Sequence, residues 1–220
     1  SHELRTPLTV IHGYLEILLS QTQDSSPQYQ TIFEEMYQQT TRMENLVENL
    51  LLLARLENDE AMSEIQSEVN VAQLLTRICQ EAEQLSGKAK HHITLKADEN
   101  LKLLGVEDEL RSLFSNIIFN AVKYTPANGT IQVEWFSKKD KAYFAVTDSG
   151  IGIAAKDIPR ITERFYRVDK ARSRASGGTG LGLAIAKHVL LRHNGQLDIE
   201  SKLAEGTRFC CIFPKMRIVN

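Results

Sequence analysis

The chain has 220 residues, 42% hydrophobic and 25% charged, with a formal net charge of -2. This length and balance fit one large or two modest soluble domains. They give no footing for a nucleic-acid or membrane-surface binder. No apolar run approaches the roughly 20 residues of a membrane helix, and the residues given contain no signal peptide. Cys79, Cys210 and Cys211 form no CxxC pair. They read as packed thiols of a reducing compartment rather than metal ligands.

In chain order, Leu4, Leu8, Ile11, Leu15 and Leu18 recur at steps of four and three, a heptad stripe. Polar residues from Ser20 to Pro27 break it. Phe33, Met36, Thr40, Met43, Val47, Leu50 and Ala54 then form a second stripe. Two heptad helices and a turn make an antiparallel hairpin. One hairpin cannot bury both stripes, whereas two form a four-helix bundle, which predicts a homodimer. The first residues are already patterned like a helix interior, so the chain is expected to be cut from a longer protein. The heptads stop around Asn58 to Ser67, where the boundary is expected: a first unit over 1–60, a linker over 61–67 and a second unit over 68–220.

The second unit alternates. Helices are predicted over 71–85, 107–124 and 181–193. Strands are predicted over 92–97, 101–105, 130–136, 142–147, 196–201 and 207–213. Helices mixed with largely antiparallel strands give an α+β chain whose second unit is a two-layer α/β sandwich.

Six of the 12 glycines fall between Gly150 and Gly182: Gly150, Gly152, Gly177, Gly178, Gly180 and Gly182. Glycine lets backbone N–H groups close on a ligand. Gly180-Leu181-Gly182 also opens a predicted helix, whose N-terminus favours phosphate. Two ordinary loops would show the same glycines, but a nucleotide is the sharper reading. There is no GxxxxGK[ST], no Rossmann fingerprint and no HRD or DFG triplet.

Asn116 and Asn120 share one helix face. With Lys123 they offer oxygen ligands for Mg²⁺ and a donor for phosphate. Alone, such a pair is more often a surface or capping feature. Asp148 closes a strand just before Gly150, where a buried carboxylate can accept from the exocyclic amine of adenine; a plain turn aspartate is the alternative.

On a wheel of about 100° per residue, the first stripe falls between about 160° and 240° from His2, so His2 faces away from the core. Thr6 shares its face, Glu3 flanks it, and Pro7 can bend the helix one turn on. A neutral imidazole is a competent nucleophile, and a carboxylate beside it can take up the proton released. On these grounds alone His2 is simply an exposed helical residue.

The ordered runs His2-Glu-Leu-Arg-Thr-Pro-Leu8, Asn116-Ile-Ile-Phe-Asn120-Ala-Val-Lys123-Tyr124, Asp148-Ser-Gly150-Ile-Gly152, Glu163-Arg-Phe165-Tyr-Arg167-Val-Asp169, Gly178-Thr179-Gly180-Leu181-Gly182-Leu and Glu205-Gly206-Thr207 resemble the boxes of the two-component sensor histidine kinases. Any one box is weak evidence, but the ordered set spans the chain. The resemblance implies a dimerisation and histidine phosphotransfer domain, truncated at its start, then an ATP-binding domain of the gyrase, heat-shock chaperone and histidine-kinase type.

It implies ATP and Mg²⁺ as cofactors, His2 as phosphoacceptor, Glu3 as its acid–base partner, and Thr6 as the residue orienting water for regulator dephosphorylation. It puts Asn120 on Mg²⁺. Asn116, Lys123 and Tyr124 would lie on the phosphate and sugar side, and Asp148 with Thr207 on adenine. Arg167 would face the γ-phosphate, and 170–177 would form a lid. Phe165, Gly178, Thr179, Gly180, Leu181 and Gly182 complete the implied nucleotide site. The implied partner is the receiver domain of a response regulator, with no direct nucleic acid. The implied place is the cytoplasmic side of a bacterial inner membrane, reached only through a missing N-terminal region.

Residues 162–173 and 13–16 further resemble the phosphate-regulon branch, whose regulators carry a DNA-binding domain. Other ATPases of this nucleotide fold, a degenerate scaffold and anti-sigma serine kinases are the rivals. The heptad hairpin with its His-Glu pair separates the first and last. The intact Asn120, Asp148 and glycines separate the scaffold.

Overall fold

The computed structural model describes residues 2–21, 27–57, 66–168 and 179–219. Helices α1 (His2–Gln21) and α2 (Pro27–Glu57) form the hairpin. Leu15 and Thr40 are buried between them, and the His12 imidazole meets Thr41 Oγ1 at 3.1 Å. Of the other heptad positions whose side chains are described, Leu8, Phe33 and Val47 are half-buried. Ile11, Leu18, Met36, Met43 and Leu50 are exposed, as are Tyr14, Ile17 and Ile32. Each helix has one neighbour in this hairpin, so only the side of each stripe turned to that neighbour is sealed.

The rest is α3 (Val71–Ser86), α4 (Glu107–Tyr124) and α5 (Gly182–Arg192) against strands β1 (Ser67–Val69), β2 (His92–Ala97), β3 (Lys102–Gly105), β4 (Thr130–Lys138), β5 (Lys141–Asp148), β6 (Gln196–Lys202), β7 (Gly206–Phe213) and β8 (Ile218–Val219). A five-stranded sheet runs β2-β4-β5-β7-β6; a smaller one runs β1-β3-β8. Among the described strands only β2 and β4 pair in parallel. The expected helix 107–124 is found without change of bounds. The expected strand 101–105 belongs to the small sheet, whose partners β1 and β8 are too short to show in a periodicity.

Local chemistry accounts for the element ends. Asn70 Oδ1 accepts from Gln73 N–H at 3.1 Å and caps α3. Lys139 and Asp140, with φ of 49° and 60°, make the tight turn between β4 and β5. Glu107, Asp108 and Glu109 fill the first turn of α4 and Lys123 its last, as the helix dipole favours.

One face of α4 carries Leu110, Leu113, Phe114, Ile117, Ile118 and Ala121 into the core. There Phe114 meets Phe144 and Phe213, and buried Trp135 donates Nε1–H to Leu101 O at 3.0 Å. The end of α2 joins the same core through Leu53 and Leu56. Glu57 pairs with Arg164 and approaches His188 Nε2 at 3.5 Å. No helix among the described residues is long and apolar enough to cross a membrane. All three cysteines are free thiols.

Candidate nucleotide site

Burying one face of α4 leaves the opposite face for a cleft. Asn116, Asn120, Lys123 and Tyr124 line it from that face. Asp148 and Thr207 line it from the ends of β5 and β7, which are register partners. Gly152, Arg167, Thr179, Gly180 and Gly182 complete the part foreseen from sequence. The cleft holds about 510 Å³, within the usual range of small-molecule sites. A hollow of about 530 Å³ between α5 and β6 is lined by none of the site residues expected from the sequence.

The two glycine boxes build opposite walls. Gly152 has φ of +67°, and a Cβ there would meet Lys202 O at 2.0 Å, so only glycine lets this loop lie against the β6–β7 turn. A Cβ on Gly182 would fall 2.3 Å from Asn116 Oδ1, which locks the start of α5 to the amide row of α4. Asn116 Nδ2 donates to Ser112 O at 2.8 Å, so its oxygen is the atom turned to α5. Thr179 Oγ1 accepts from Leu181 N–H at 3.3 Å. The N-terminus of α5 thus opens beside the cleft with Gly180 and Gly182 on its wall, a geometry suited to phosphate.

Three foreseen residues stand behind the wall. Leu181 is fully buried in the core, Gly150 supports Asp148, and Phe165 is 55% exposed, its N–H donating to Gly180 O at 2.9 Å. None of the three lines the cleft. Gly178 and the expected lid over 170–177 lie outside the described residues. So do the side chains of His2, Glu3 and Thr6, whose backbone forms the first turns of α1.

The charges that line the cleft form two groups. In one, Lys123 and Arg167 act on each other, with Arg42 of α2 adding its field. Burial, then Arg167 and Arg42, lower the Lys123 pKa. The buried Arg167 Nη2 has no hydrogen-bond partner among the described residues. A buried, unpaired guanidinium nitrogen is costly, and a phosphate oxygen satisfies it. Burial raises the Tyr124 pKa, and Arg167 opposes that.

In the other, Asp148, 7% exposed, accepts from Gly150 N–H at 2.8 Å and Thr207 N–H at 3.2 Å, both on Oδ1. Burial raises its pKa, and these two N–H groups hold it back. The distribution suits a ligand with an anionic tail and an amine-bearing head.

Sequence reasoning missed the apolar part of the wall: Ile151, Ile153, Leu203 and Phe209, with Ile161, Tyr166 and Val168. Tyr166 is held by its O–H donation to the buried Asp157 at 2.7 Å and by Arg160 over its ring. Among the described residues no group of three or more His, Cys, Asp or Glu could hold a metal. A cation here would draw its other ligands from the nucleotide.

Comparison with known proteins agrees with this arrangement. Residues 105–217 match the model of the histidine kinase-, DNA gyrase B- and HSP90-like ATPases. Residues 1–59 match the His Kinase A (phospho-acceptor) domain. The phosphate regulon sensor protein PhoR of Pseudomonas aeruginosa is 49% identical over 220 residues, all of this chain and 49% of that protein. Its Haemophilus influenzae counterpart is 38% identical, covering all of this chain and 51% of that protein. The chain therefore spans about half the length of these curated relatives. Crystalline full-length ShkA in complex with AMPPNP shares the fold, with a TM-score of 0.78 at 24% identity over 97% of this chain and 44% of that one. With both domain models matched in order and a cleft between the amide row and the glycine walls, the chain belongs to the two-component sensor histidine kinases.

Proposed function

We propose that this chain binds Mg·ATP in the cleft, phosphorylates His2 and passes the phosphoryl group to an aspartate on the receiver domain of a response regulator. The observation that carries the reading is the polarity of the cleft. Arg167 Nη2, with no partner among the described residues, and Lys123 form a cationic group beside the α5 N-terminus, and Asp148 is the anionic group of the same cleft. ATP has that polarity: a triphosphate tail and a 6-amino head.

In the transfer, an imidazole nitrogen of His2 bonds to the γ-phosphorus as the bond to the β–γ bridging oxygen breaks, and ADP leaves. Glu3 takes the proton from the other ring nitrogen. Arg167 meets the charge on the transferring oxygens, and Lys123 and the α5 N-terminus hold the remaining phosphates. Asn120 would hold Mg²⁺ together with the phosphates; the ion neutralises charge on the tail. Asn116 and Tyr124 border the tail and sugar, and Asp148 with Thr207 reads the base. Thr6 orients water for removing phosphate from the regulator.

The division into a dimerising phosphotransfer unit (1–60), a linker (61–67) and a catalytic unit (68–220) belongs to the same reading. So do the homodimer, a place on the cytoplasmic side of a membrane protein, and a role in the phosphate response. The last is suggested by the names of the relatives. The test is a transfer assay with γ-labelled ATP and Mg²⁺. An acid-labile, alkali-stable label that moves to an added receiver domain and is absent in His2→Gln supports the reading. A label resistant to acid, or one unaffected by His2→Gln, contradicts it.

A further inference from the structure

Ser201, on the edge strand β6, lies outside the cleft and outside every sequence box, yet three of its hydrogen bonds converge on the base-reading end. Its Oγ accepts from Ile153 N–H at 2.8 Å, donates to Gly206 O at 3.0 Å and meets Thr207 Oγ1 at 2.8 Å. Ile153 ends the glycine loop that follows Asp148, and Gly206 and Thr207 open β7. Gly206, at φ of +110°, packs so closely that a Cβ there would fall 1.9 Å from Asp148 O. One hydroxyl thus ties both backbone segments that flank the Asp148 carboxylate.

The protons can be assigned. A hydroxyl donates once and accepts twice. Gly206 O can only accept, so the Ser201 proton goes there. Ile153 N–H can only donate. The remaining contact must then run from the Thr207 hydroxyl to Ser201 Oγ. Ser201 is saturated, and Thr207 has no proton left: only lone pairs of its oxygen remain for a ligand. Asp148, accepting from Gly150 and Thr207 N–H groups, also has only lone pairs to offer. The polar side chains at this end are therefore both acceptors and require a ligand edge that donates.

We propose that Ser201 is a positioning and specificity-determining residue for the nucleotide. By consuming the Thr207 proton and fixing both flanking segments, it makes the site select a 6-amino over a 6-keto purine. The proposal rests on the cleft being an ATP site. A 6-keto purine places a lone pair at position 6, where adenine places N–H, and carries its ring proton on N1; with both acceptors facing position 6, acceptor meets acceptor and the keto base is rejected. Replacing Ser201 by Ala releases the Thr207 proton, which can then be donated to a keto oxygen.

The test is displacement of a fluorescent ADP analogue from the 220-residue chain by ATP and by inosine triphosphate, with thermal unfolding alongside. The wild type should favour ATP. Ser201→Ala should lower the ATP-to-inosine-triphosphate affinity ratio about five- to tenfold, the scale of one neutral hydrogen bond. Ser201→Thr, which keeps the hydroxyl, should restore it. Ser201→Cys fills the space with a poor donor and acceptor, and should behave like Ala even if the Ala variant does not fold. A purely structural role predicts a lower Tm with equal losses for both nucleotides, and an unchanged ratio in Ser201→Ala or Ser201→Cys overturns the proposal. A wild type that binds ATP with no preference overturns it while leaving the kinase reading intact. A wild type that binds neither nucleotide overturns both.

Discussion

Asp148, proposed to read the base, costs stability where it stands. Burial raises its pKa above the ordinary carboxylate value. A carboxyl raised on folding contributes stability only at low pH, lost as pH rises through its folded pKa, so the ionised form costs stability at neutral pH. Asp148→Asn should therefore keep a Tm at least as high as wild type while ATP affinity falls about ten- to a hundredfold, the scale of a charge-assisted hydrogen bond. Nucleotide titration and thermal unfolding read the two effects separately. ATP affinity should also fade on acidification from a higher pH than an unshifted carboxylate allows.

Arg167 makes the opposite case, a guanidinium whose buried Nη2 has no partner among the described residues. Arg167→Met should leave ADP affinity within about threefold and cut autophosphorylation about a hundredfold or more, as loss of a transition-state donor does. Single-turnover kinetics separate the two. Asp148 was legible because it closes an alternating strand before a glycine loop. Arg167 was legible only through family resemblance, since nothing in its neighbourhood marks it. Ser201 was not legible at all: its role comes from β6 pairing with β7.

Helix α4 divides stability from binding by face. Ile117 is fully buried, whereas Asn120, one turn on, lines the cleft. Ile117→Ala should cost about 2–5 kcal/mol of stability, measured by denaturant unfolding. Asn120→Ala should leave stability within about 0.5 kcal/mol and abolish Mg²⁺-dependent phosphorylation. Periodicity made this helix readable, because seven apolar positions recur at helical spacing. It failed for the apolar cleft wall, since Leu203 sits in a turn and Phe209 in a strand whose inward face is core elsewhere. It also failed for Leu53 and Leu56, which lie in a helix with a heptad pattern but pack into the core of the sheet-bearing part.

On the scale of the whole molecule, the hairpin leaves Ile11, Leu18, Met36, Met43 and Leu50 exposed along its length. Exposed apolar rows of this kind mark an interface. The proposed bundle covers them, and Met36→Lys should shift the protein from dimer to monomer in light scattering without altering ADP affinity.

The proposed reaction joins this cleft to a histidine more than a hundred residues away in sequence. The most direct test is to incubate the protein with Mg·ATP, digest it at alkaline pH and locate the added phosphoryl group by fragmentation mass spectrometry. One phosphoryl group on the imidazole of His2, absent in Asp148→Asn, is the predicted result. Phosphate on a serine or threonine, or on His2 in Asp148→Asn as fully as in wild type, would contradict the account.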